Sequence, residues 1–320
     1  MVSVVIPVLD EQDLIDRTLN EVAGVLEAAA GDFEIIVVDD GSKDRTFAKV
    51  QEAHQSNPRL KGLRLSRHFG KEAAMLAGLT RARGQAVITM DGDLQHPPDL
   101  IPAMLDKWRQ GAQIVHGVKA SRKYGGRLHR TAARVFNTLF SRIAGFSIVD
   151  SSDFKLLDAA IARLLVKNFP EQQRFHRGLS QWVGFRQESV EFIVPERPSG
   201  RSRWSVAGLF RYGWNTLTSF TSLPLQLVPV LGIIMLVTAV LLGAEALISR
   251  LSGHAISGFA TLEVTILFSG SLIMIGLGVV GQYLARIYDE VKRRPVYLVA
   301  DECGLGSPAA GAPQEPDAST

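Results

Sequence analysis

Two carboxylates lie one residue apart where an apolar run of the chain ends. Asp91 and Asp93 follow the run at residues 86–90, and Gln95 comes two residues later. A strand that ends here would carry both side chains to the sheet edge where open α/β folds bind ligands. Carboxylate and amide oxygens are the hard ligands that Mg²⁺ and Mn²⁺ prefer, particularly beside a diphosphate. The stretch therefore predicts a metal–diphosphate site.

An ordinary turn would explain the same stretch in another way. Asp-Gly at 91–92 is a common turn pair, and Pro97-Pro98 is suited to opening a helix. A second acidic strand end favours the site over the turn, because Asp39 and Asp40 follow the apolar residues 33–38. Parallel strands bring their carboxyl ends to one edge of a sheet, so the two acidic ends are expected to meet.

Residues 1 to about 120 alternate between apolar, β-branched runs and helical stretches. Continuous apolar strands are typical of a parallel sheet that is covered on both faces. Gly31, Gly84 and Gly111 are each predicted to end a helix. The predicted strands are 2–8, 33–38, 60–65, 86–90 and 113–118, and the predicted helices are 11–30, 44–56, 71–82 and 99–110. The sequence therefore predicts an α/β fold with a mainly parallel, Rossmann-like sheet.

The composition excludes several classes of protein. With 320 residues, the chain is long enough for one α/β domain and an appendage. Its formal net charge of +3 is too small to indicate a nucleic-acid partner. Cys303 is the only cysteine, so neither an intrachain disulfide nor a cysteine-based zinc site is expected.

Beyond residue 120, helices are predicted at 128–144 and 159–166 and a strand at 187–194.

Two later segments are long and apolar enough to cross a bilayer. Residues 223–244 and 264–284 carry no charge, and a span of about 20 residues crosses a hydrocarbon core of about 30 Å. Core helices of a soluble domain are the alternative. Basic residues flank the pair at both outer ends, and only Arg250 lies in the linker, so both termini are predicted to face the cytoplasm. Aromatic residues before the first span predict an interfacial helix, with a helix packed on the domain as the alternative.

These patterns divide the chain into five predicted segments. A cytoplasmic catalytic domain takes 1–200 and an interfacial amphipathic helix takes 201–222. A transmembrane hairpin takes 223–285, and a cytoplasmic C-terminal segment takes 286–303. Residues 304–320 are rich in glycine, proline, alanine and serine and are predicted to be disordered.

Several motifs, in this order, resemble the family 2 glycosyltransferases of the GT-A fold. With the two late spans, the likeness narrows to bacterial polyisoprenyl-phosphate glycosyltransferases, relatives of dolichol-phosphate mannose synthase, and covers residues 1 to about 300. Relatives often have Lys where Arg203 stands and Arg where Lys119 and Lys155 stand, which keeps the charge but changes its geometry. The motifs are VIP at 5–7 with Glu11, VDDGSKDRT at 38–46, SRHFGKEAA at 66–74, DGDLQHP at 91–97 and RPSGRSRW at 197–204.

The resemblance implies a role for each residue that matches the family motifs. It implies a metal site at Asp91, Asp93 and Gln95, with Asp91 also touching the nucleotide. Asp153 and Arg197 are implied as catalytic residues, and Asp153 in a structural ion pair with Lys155 or a neighbouring arginine is the alternative. The nucleotide site implied comprises Pro7, Leu9, Glu11, Asp39, Asp40 and Lys71, and the acceptor-phosphate site comprises Lys119, Arg122, Arg197, Arg201 and Arg203.

Bland roles remain open for several of these residues. Asp39 and Asp40 would also serve as helix-capping residues before Asp44. Lys71 fits a solvated position at a helix start, and His96 fits a loop residue better than a fourth metal ligand. Any single basic residue of the acceptor set would also fit a charge at the membrane surface.

The activity implied is inverting, Mg²⁺- or Mn²⁺-dependent transfer of a sugar from a nucleotide to a lipid. Glucose from UDP-glucose is the implied donor sugar, and undecaprenyl phosphate at the cytoplasmic face of a bacterial inner membrane is the implied acceptor. N-acetylhexosamine, aminoarabinose or mannose on the same lipid, a polysaccharide synthase, and a non-catalytic membrane scaffold are the alternatives. The resemblance also implies a homo-tetramer.

Overall fold

The computed structural model describes residues 1–119, 151–169, 176–193, 223–252 and 259–305. The chain divides into two compact units, Met1–Arg203 with Pro295–Thr320, and Trp204–Arg294. The predicted helix at 128–144, the predicted interfacial helix at 201–222 and residues 306–320 of the predicted tail lie outside the described ranges.

The first unit is an α/β domain built on one eight-stranded sheet. Its strands are β1 (Val2–Val8), β2 (Phe33–Asp39), β3 (Leu60–Leu65), β4 (Ala86–Thr89), β5 (Ile114–Lys119), β6 (Ser151–Asp158), β7 (Gln187–Phe192) and β8 (Val299–Cys303). Its helices are α1 (Ile15–Ala29), α2 (Thr46–Ser56), α3 (Lys71–Arg81), α4 (Ile101–Arg109), α5 (Ala159–Asn168) and α6 (His176–Trp182), with a 3₁₀ turn at Pro98–Leu100 before α4.

The sheet is mixed and mostly parallel, in the order β7-β5-β6-β4-β1-β2-β3-β8. β1 pairs in parallel with β2 and β4, and β2 with β3, while β5 pairs in parallel with β7. Two strands run against their neighbours: β6 between β4 and β5, and β8 on β3. The predicted α/β class is therefore confirmed, with the carboxyl ends of β1, β2 and β4 side by side.

Helices cover both faces of this sheet, as its continuous apolar strands require. On one face Val4 and Ile6 of β1 belong to a fully buried cluster with residues of α1 and α4, including Leu19 and Met104. On the other face α3 lies so close that a Cβ built on Gly78 would come within 2.2 Å of Val5 Cγ1. Both faces of the sheet are thereby covered by helices.

Two strands of this sheet, β6 and β8, were not predicted. β6 bears Asp153 and Lys155 alternating with Phe154 and Leu156, all buried, so charged side chains interrupt the continuous apolar run by which a strand buried on both faces is recognised. β8 belongs to the predicted segment 286–303, which divides between the end of a long helix and this strand. Local pattern shows neither which strand pairs with β3 nor that the chain returns to the sheet.

Two of the three glycines behave as predicted, and one prediction was wrong. Gly31 and Gly111 follow α1 and α4 with φ of +68° and +95°, the left-handed conformation that ends helices. Gly84 does not have a positive φ. A Cβ there would lie 2.5 Å from the backbone nitrogen of Ser3, so this glycine permits a close backbone approach to β1.

The second unit contains two long helices, α7 (Leu223–Leu251) and α8 (Phe259–Lys292), which pack against each other. Within them, Leu225–Glu245 has a mean hydropathy of 2.6 and Val264–Val291 has 2.1. By length and composition both are candidates for crossing a membrane. The second helix continues to Lys292, about two turns beyond the predicted span.

Candidate active site

The candidate site lies at the carboxyl ends of β4, β1 and β2, which are neighbours in the sheet. The loops after these strands carry most of the predicted nucleotide and metal residues. The sequence argument that parallel strands would bring the two acidic strand ends to one edge is confirmed. Two residues in these loops, Asp10 and Leu94, have φ of +53° and +57°. Such strained conformations in non-glycine residues cluster at functional sites.

The loop after β1 is held by the loop after β2. The Asp10 N–H donates to Ser42 Oγ at 2.9 Å and the Glu11 N–H to Thr46 Oγ1 at 2.9 Å. These contacts delay the start of α1 to Ile15, four residues after the predicted start. Of the predicted nucleotide residues here, Pro7 is buried in β1, Leu9 is 39% exposed and Glu11 is partly exposed.

Asp39 ends β2 as a completely buried carboxylate. Its Oδ1 accepts a hydrogen bond from the Ser42 N–H at 2.8 Å, in the loop before α2 and not at the helix N-cap, which is Arg45. Its Oδ2 has no hydrogen-bond partner among the described residues, and Arg64 Nε lies 3.6 Å away. Burial raises the pKa of Asp39, while the bonds from Ser42 and the charge of Arg64 oppose the rise. An acceptor oxygen is thus left for a ligand N–H or O–H.

Asp40 is engaged by the loop that precedes α3. Its two carboxylate oxygens accept from the backbone N–H groups of Phe69 and Gly70 at 2.7 and 2.9 Å. His68 Nδ1 lies 2.8 Å from Oδ2. Asp40 therefore fixes the turn into α3, where Gly70 has a φ of +103° and Lys71 is the first helical residue.

Lys71 joins the metal-site loop to β6. Its Nζ lies 2.5 Å from Asp91 Oδ1 and 2.5 Å from Asp153 Oδ2. Burial opposes the charged ammonium, but the two carboxylates outweigh it and raise the pKa of Lys71. Lys71 does lie at a helix start with its side chain 39% exposed, but it is also engaged by two acids. The ion pair also shows that Asp153, 5% exposed, is bound to a lysine from another element.

The loop from Asp91 to His96 offers two carboxylates, with some oxygens already engaged. Asp93 Oδ1 accepts from the Gln95 N–H at 3.1 Å. His96 is buried, stacks on Phe154 and accepts the Asp91 N–H through Nδ1 at 3.0 Å, as the loop role predicts. Among the residues described, no group of three or more His, Cys, Asp or Glu side chains is arranged to hold a metal. The types of ligand, two carboxylates and the amide of Gln95, nevertheless suit a hard divalent ion.

The structure describes little of the predicted acceptor site. Lys119 ends β5, with only its backbone described. Arg122, Arg197, Arg201 and Arg203 lie outside the described residues, so the acceptor set and the catalytic role of Arg197 remain predictions.

Three polar residues near the site were not predicted as functional. Lys155, two residues after Asp153 on β6, is 0% exposed and donates to Ser180 Oγ of α6. Glu72 follows Lys71, and burial raises its pKa to about 7. His116 of β5 is buried, and burial followed by the charge of Lys155 lowers its pKa to about 4. The two-residue spacing of Asp153 and Lys155 was the available signal, because it places both on one face of a strand.

Together these groups place fixed charges of both signs at one edge of the sheet. One ammonium lies between two carboxylates, and Asp39 is a buried carboxylate of which one oxygen has no hydrogen-bond partner among the described residues. Carboxylate oxygens can accept from the N–H and O–H groups of a base or sugar, and a paired lysine can neutralise charge on a phosphate.

Comparison with known proteins supports a transferase of sugars. Residues 3–162 match the family model described as Glycosyl transferase family 2, half of the chain. The bactoprenol glucosyl transferase of Shigella phage SfII is 36% identical over 93% of this chain and 97% of its own length. A prophage bactoprenol glucosyl transferase homolog of Escherichia coli K12 is 34% identical over 93% of this chain and 98% of its own.

A glycosyltransferase of Synechocystis sp. is 38% identical over 95% of this chain and 96% of its own. The described mixed α/β domain and the two apolar helices agree with the predicted GT-A architecture. The chain thus belongs to glycosyl transferase family 2 and is a glycosyltransferase.

Proposed function

We propose that this glycosyltransferase moves glucose from UDP-glucose to a polyisoprenyl phosphate such as undecaprenyl phosphate. The relatives named as bactoprenol glucosyl transferases support this acceptor and sugar, because the likeness extends over nearly their whole length. The observation that carries the proposal is the contact of Lys71 with both Asp91 and Asp153. It joins the predicted metal loop to the predicted catalytic carboxylate in one site.

The donor would bind at the ends of β1 and β2. Asp39 Oδ2 is an open, buried acceptor, suited to an N–H of the base or a ribose hydroxyl. Pro7, Leu9 and Glu11 form the adjoining strand end and loop. Asp40 contributes indirectly, by holding the turn that places Lys71.

Asp91, Asp93 and Gln95 would hold a divalent ion beside the donor diphosphate. Such an ion, when bound, neutralises charge on the leaving diphosphate. Lys71 Nζ then remains as the protein's own cation between Asp91 and Asp153, and it keeps these two carboxylates together.

The reaction would be a single in-line displacement. An oxygen of the acceptor phosphate forms the new bond to the anomeric carbon, the bond from that carbon to the UDP oxygen breaks, and the configuration inverts. A phosphate monoester has a second pKa of about 6, so the acceptor is already an anion near neutral pH. Asp153, held by Lys71 and with its backbone oxygen bound by Thr89 Oγ1, therefore orients the site rather than removing a proton.

The acceptor phosphate needs cations, for which Lys119, Arg122, Arg197, Arg201 and Arg203 are our candidates. The lipid places the reaction at a membrane, and the two apolar helices are the proposed anchor. Arg286, Lys292, Arg293 and Arg294 at the end of α8 outnumber the single Arg250 of the linker, which supports cytoplasmic termini. The homo-tetramer stays a prediction.

A transfer assay tests the proposal. Purified full-length protein in detergent is incubated with undecaprenyl phosphate, Mg²⁺ and one radiolabelled donor at a time: UDP-glucose, UDP-N-acetylglucosamine, GDP-mannose or UDP-aminoarabinose. We expect label in a lipid that releases glucose on mild acid, from UDP-glucose alone.

The same assay contains its own controls. Asp153→Asn should lower transfer strongly, whereas Asn for the exposed Asp106 of α4 should not. Transfer of label from another donor would show that the sugar is not glucose but would leave the proposed lipid acceptor in place. A polymer product would favour a polysaccharide synthase, and no lipid product from any donor would refute the proposed acceptor.

A further inference from the structure

A fully buried lysine lies behind the contact of Lys71 with Asp153. Lys155 follows Asp153 by two residues on β6, so both side chains leave the same face of the strand. The Lys155 side chain is 0% exposed, and its Nζ donates to Ser180 Oγ on α6. Lysine is almost never fully buried unless other groups compensate its charge.

A partly buried acid lies next to Lys71 in sequence. Glu72 Oε2 accepts the backbone N–H of His176, the first residue of α6, at 2.9 Å. The small pocket that surrounds Glu72 is otherwise apolar except for His176, and it is lined by Met75, Leu76, Leu79, Leu165 and Leu179. Burial there raises the pKa of Glu72 to about 7, against the opposing effects of the His176 bond and the Lys155 charge.

One face of α6 therefore holds both residues. His176 and Ser180 are four residues apart, one helical turn, so α6 contacts α3 through Glu72 and β6 through Lys155. Lys71 precedes Glu72 on α3, and Asp153 lies two residues before Lys155 on β6. These two residues, Lys71 and Asp153, form the ion pair of the candidate site. Each of the two elements thus carries one lysine and one acid: Lys71 and Glu72 on α3, and Lys155 and Asp153 on β6.

We propose that Glu72 and Lys155 are positioning residues: the Glu72 carboxylate binds the start of α6 to α3 and Lys155 binds the next turn of α6 to β6, so that Lys71 and Asp153 meet. The inference rests on the proposed function of Asp153 and adds two residues to it. Without either contact, α3 and β6 are no longer tied through α6, and the distance between Lys71 and Asp153 is free to change. Four charged or titratable groups face Glu72: Lys71 on α3, Asp153 and Lys155 on β6, and His176 on α6.

Kinetics of four variants test the pair. Glu72→Gln keeps the acceptor for the His176 N–H but removes the charge, and we expect kcat to fall about ten-fold with the donor KM within a few-fold. Lys155→Met should lose a similar amount, and Lys155→Arg should retain kcat within about three-fold, because the charge is kept. The double variant Glu72→Gln/Lys155→Met should be no worse than either single variant, since both remove one interaction. Gln for the exposed Glu191 of β7 is the matched control.

The pH profile separates positioning from a general loss of packing. In the unmodified protein, activity should rise through a limb near pH 7 as Glu72 ionises, and Glu72→Gln should lack it. A limb near pH 6 from the acceptor phosphate should persist in both. Unchanged kcat and an unchanged limb in Glu72→Gln, or losses that multiply in the double variant, would overturn the inference.

A measurement on the protein itself keeps the result independent of the substrate. The Glu72 carboxyl, followed by ¹³C NMR in full-length protein, should titrate near pH 7, and Lys155→Met should raise that midpoint by about half a unit or more. If no sugar is transferred but Glu72 titrates as expected in both proteins, the positioning role of Glu72 and Lys155 is retained and the proposed activity is refuted. A Glu72 midpoint that Lys155→Met leaves unchanged overturns the pair. Should Lys155→Met fail to fold, Lys155→Arg and Glu72→Gln decide the question.

Discussion

Lys71 Nζ and Asp153 Oδ2 lie 2.5 Å apart, although 82 positions separate these residues in the chain. The same ammonium lies 2.5 Å from Asp91 Oδ1. A residue assigned by resemblance to the nucleotide site is thus also the partner of the predicted catalytic acid. One side chain joins the loop after β4 to β6, and changes at Lys71 should disturb both carboxylates.

Removal of the Lys71 charge should disable transfer. In Lys71→Met the carboxylates of Asp91 and Asp153 would repel each other, and loss of a charge-assisted contact costs about 1.5–3 kcal/mol. We expect kcat/KM to fall about ten- to a hundred-fold, with partial recovery in Lys71→Arg. Steady-state kinetics on purified protein measure this. Lys49→Met, which breaks a surface pair with Asp16, is the control and should be neutral. Full activity in Lys71→Met would show that the bridge has no catalytic part.

Activity should require a divalent ion bound at Asp93. Chelation should abolish transfer, and Mg²⁺ or Mn²⁺ should restore it, because the carboxylates of the loop provide hard ligands. Asp93→Asn should weaken Mn²⁺ binding, measured by calorimetry without donor, together with activity. Transfer at full rate in excess chelator would contradict metal dependence.

Arg197 and Arg203 should act on the acceptor. Alanine at either position should lower kcat/KM for the lipid about ten- to a hundred-fold, the effect of one lost contact to phosphate. Binding of UDP with metal, measured by calorimetry, should stay within a few-fold. If UDP binding is lost and the acceptor KM is unchanged, these arginines belong to the donor site, and Lys119 and Arg122 become the acceptor candidates.

Deletion of the last strand should destabilise the catalytic domain. β8 covers the edge of β3, packs Cys303 against Gly62 and pairs Glu302 with Arg81 at 3.1 Å. A chain ending at Arg294 should lose about 2 kcal/mol, or about 4–8 °C in Tm, and should aggregate through the bare strand edge. A chain ending at Leu305 keeps β8 and should melt as the full chain does. Equal Tm values for both truncations would show that β8 adds no stability.

His116 should make the fold sensitive to acid. Burial, then the charge of Lys155, lowers its pKa from 6.5 to about 4, so the unfolded chain takes up a proton at a higher pH than the folded one. The stability that neutral His116 contributes is complete above pH 6.5 and is lost as the pH falls towards 4. His116→Gln should remove on the order of 2–3 kcal/mol of this dependence. Free energies of unfolding measured at several pH values compare the two proteins; parallel curves would contradict the prediction.

The sequence by itself determined the parts whose signals are local. Strands β1 and β3 occur at the residues predicted, because their apolar runs are bounded by turn residues. The acidic ends of β2 and β4 meet as expected, since parallel neighbours bring their carboxyl ends to one edge. Length and hydropathy were sufficient to find both long apolar helices.

Only the tertiary structure decided which distant residues meet. β6 enters antiparallel between β4 and β5, and this pairing places Asp153 at Lys71 and Lys155 at Ser180. Its side chains alternate between a buried face with Phe154 and Leu156 and a buried face with Asp153 and Lys155, so charges interrupt the apolar run that marks a central strand. β8 pairs with β3 across more than two hundred intervening positions, and no local propensity specifies a pairing at that distance. The raised pKa of Glu72 depends on a pocket assembled from α3, α5 and α6, and such burial exists only once the helices have packed.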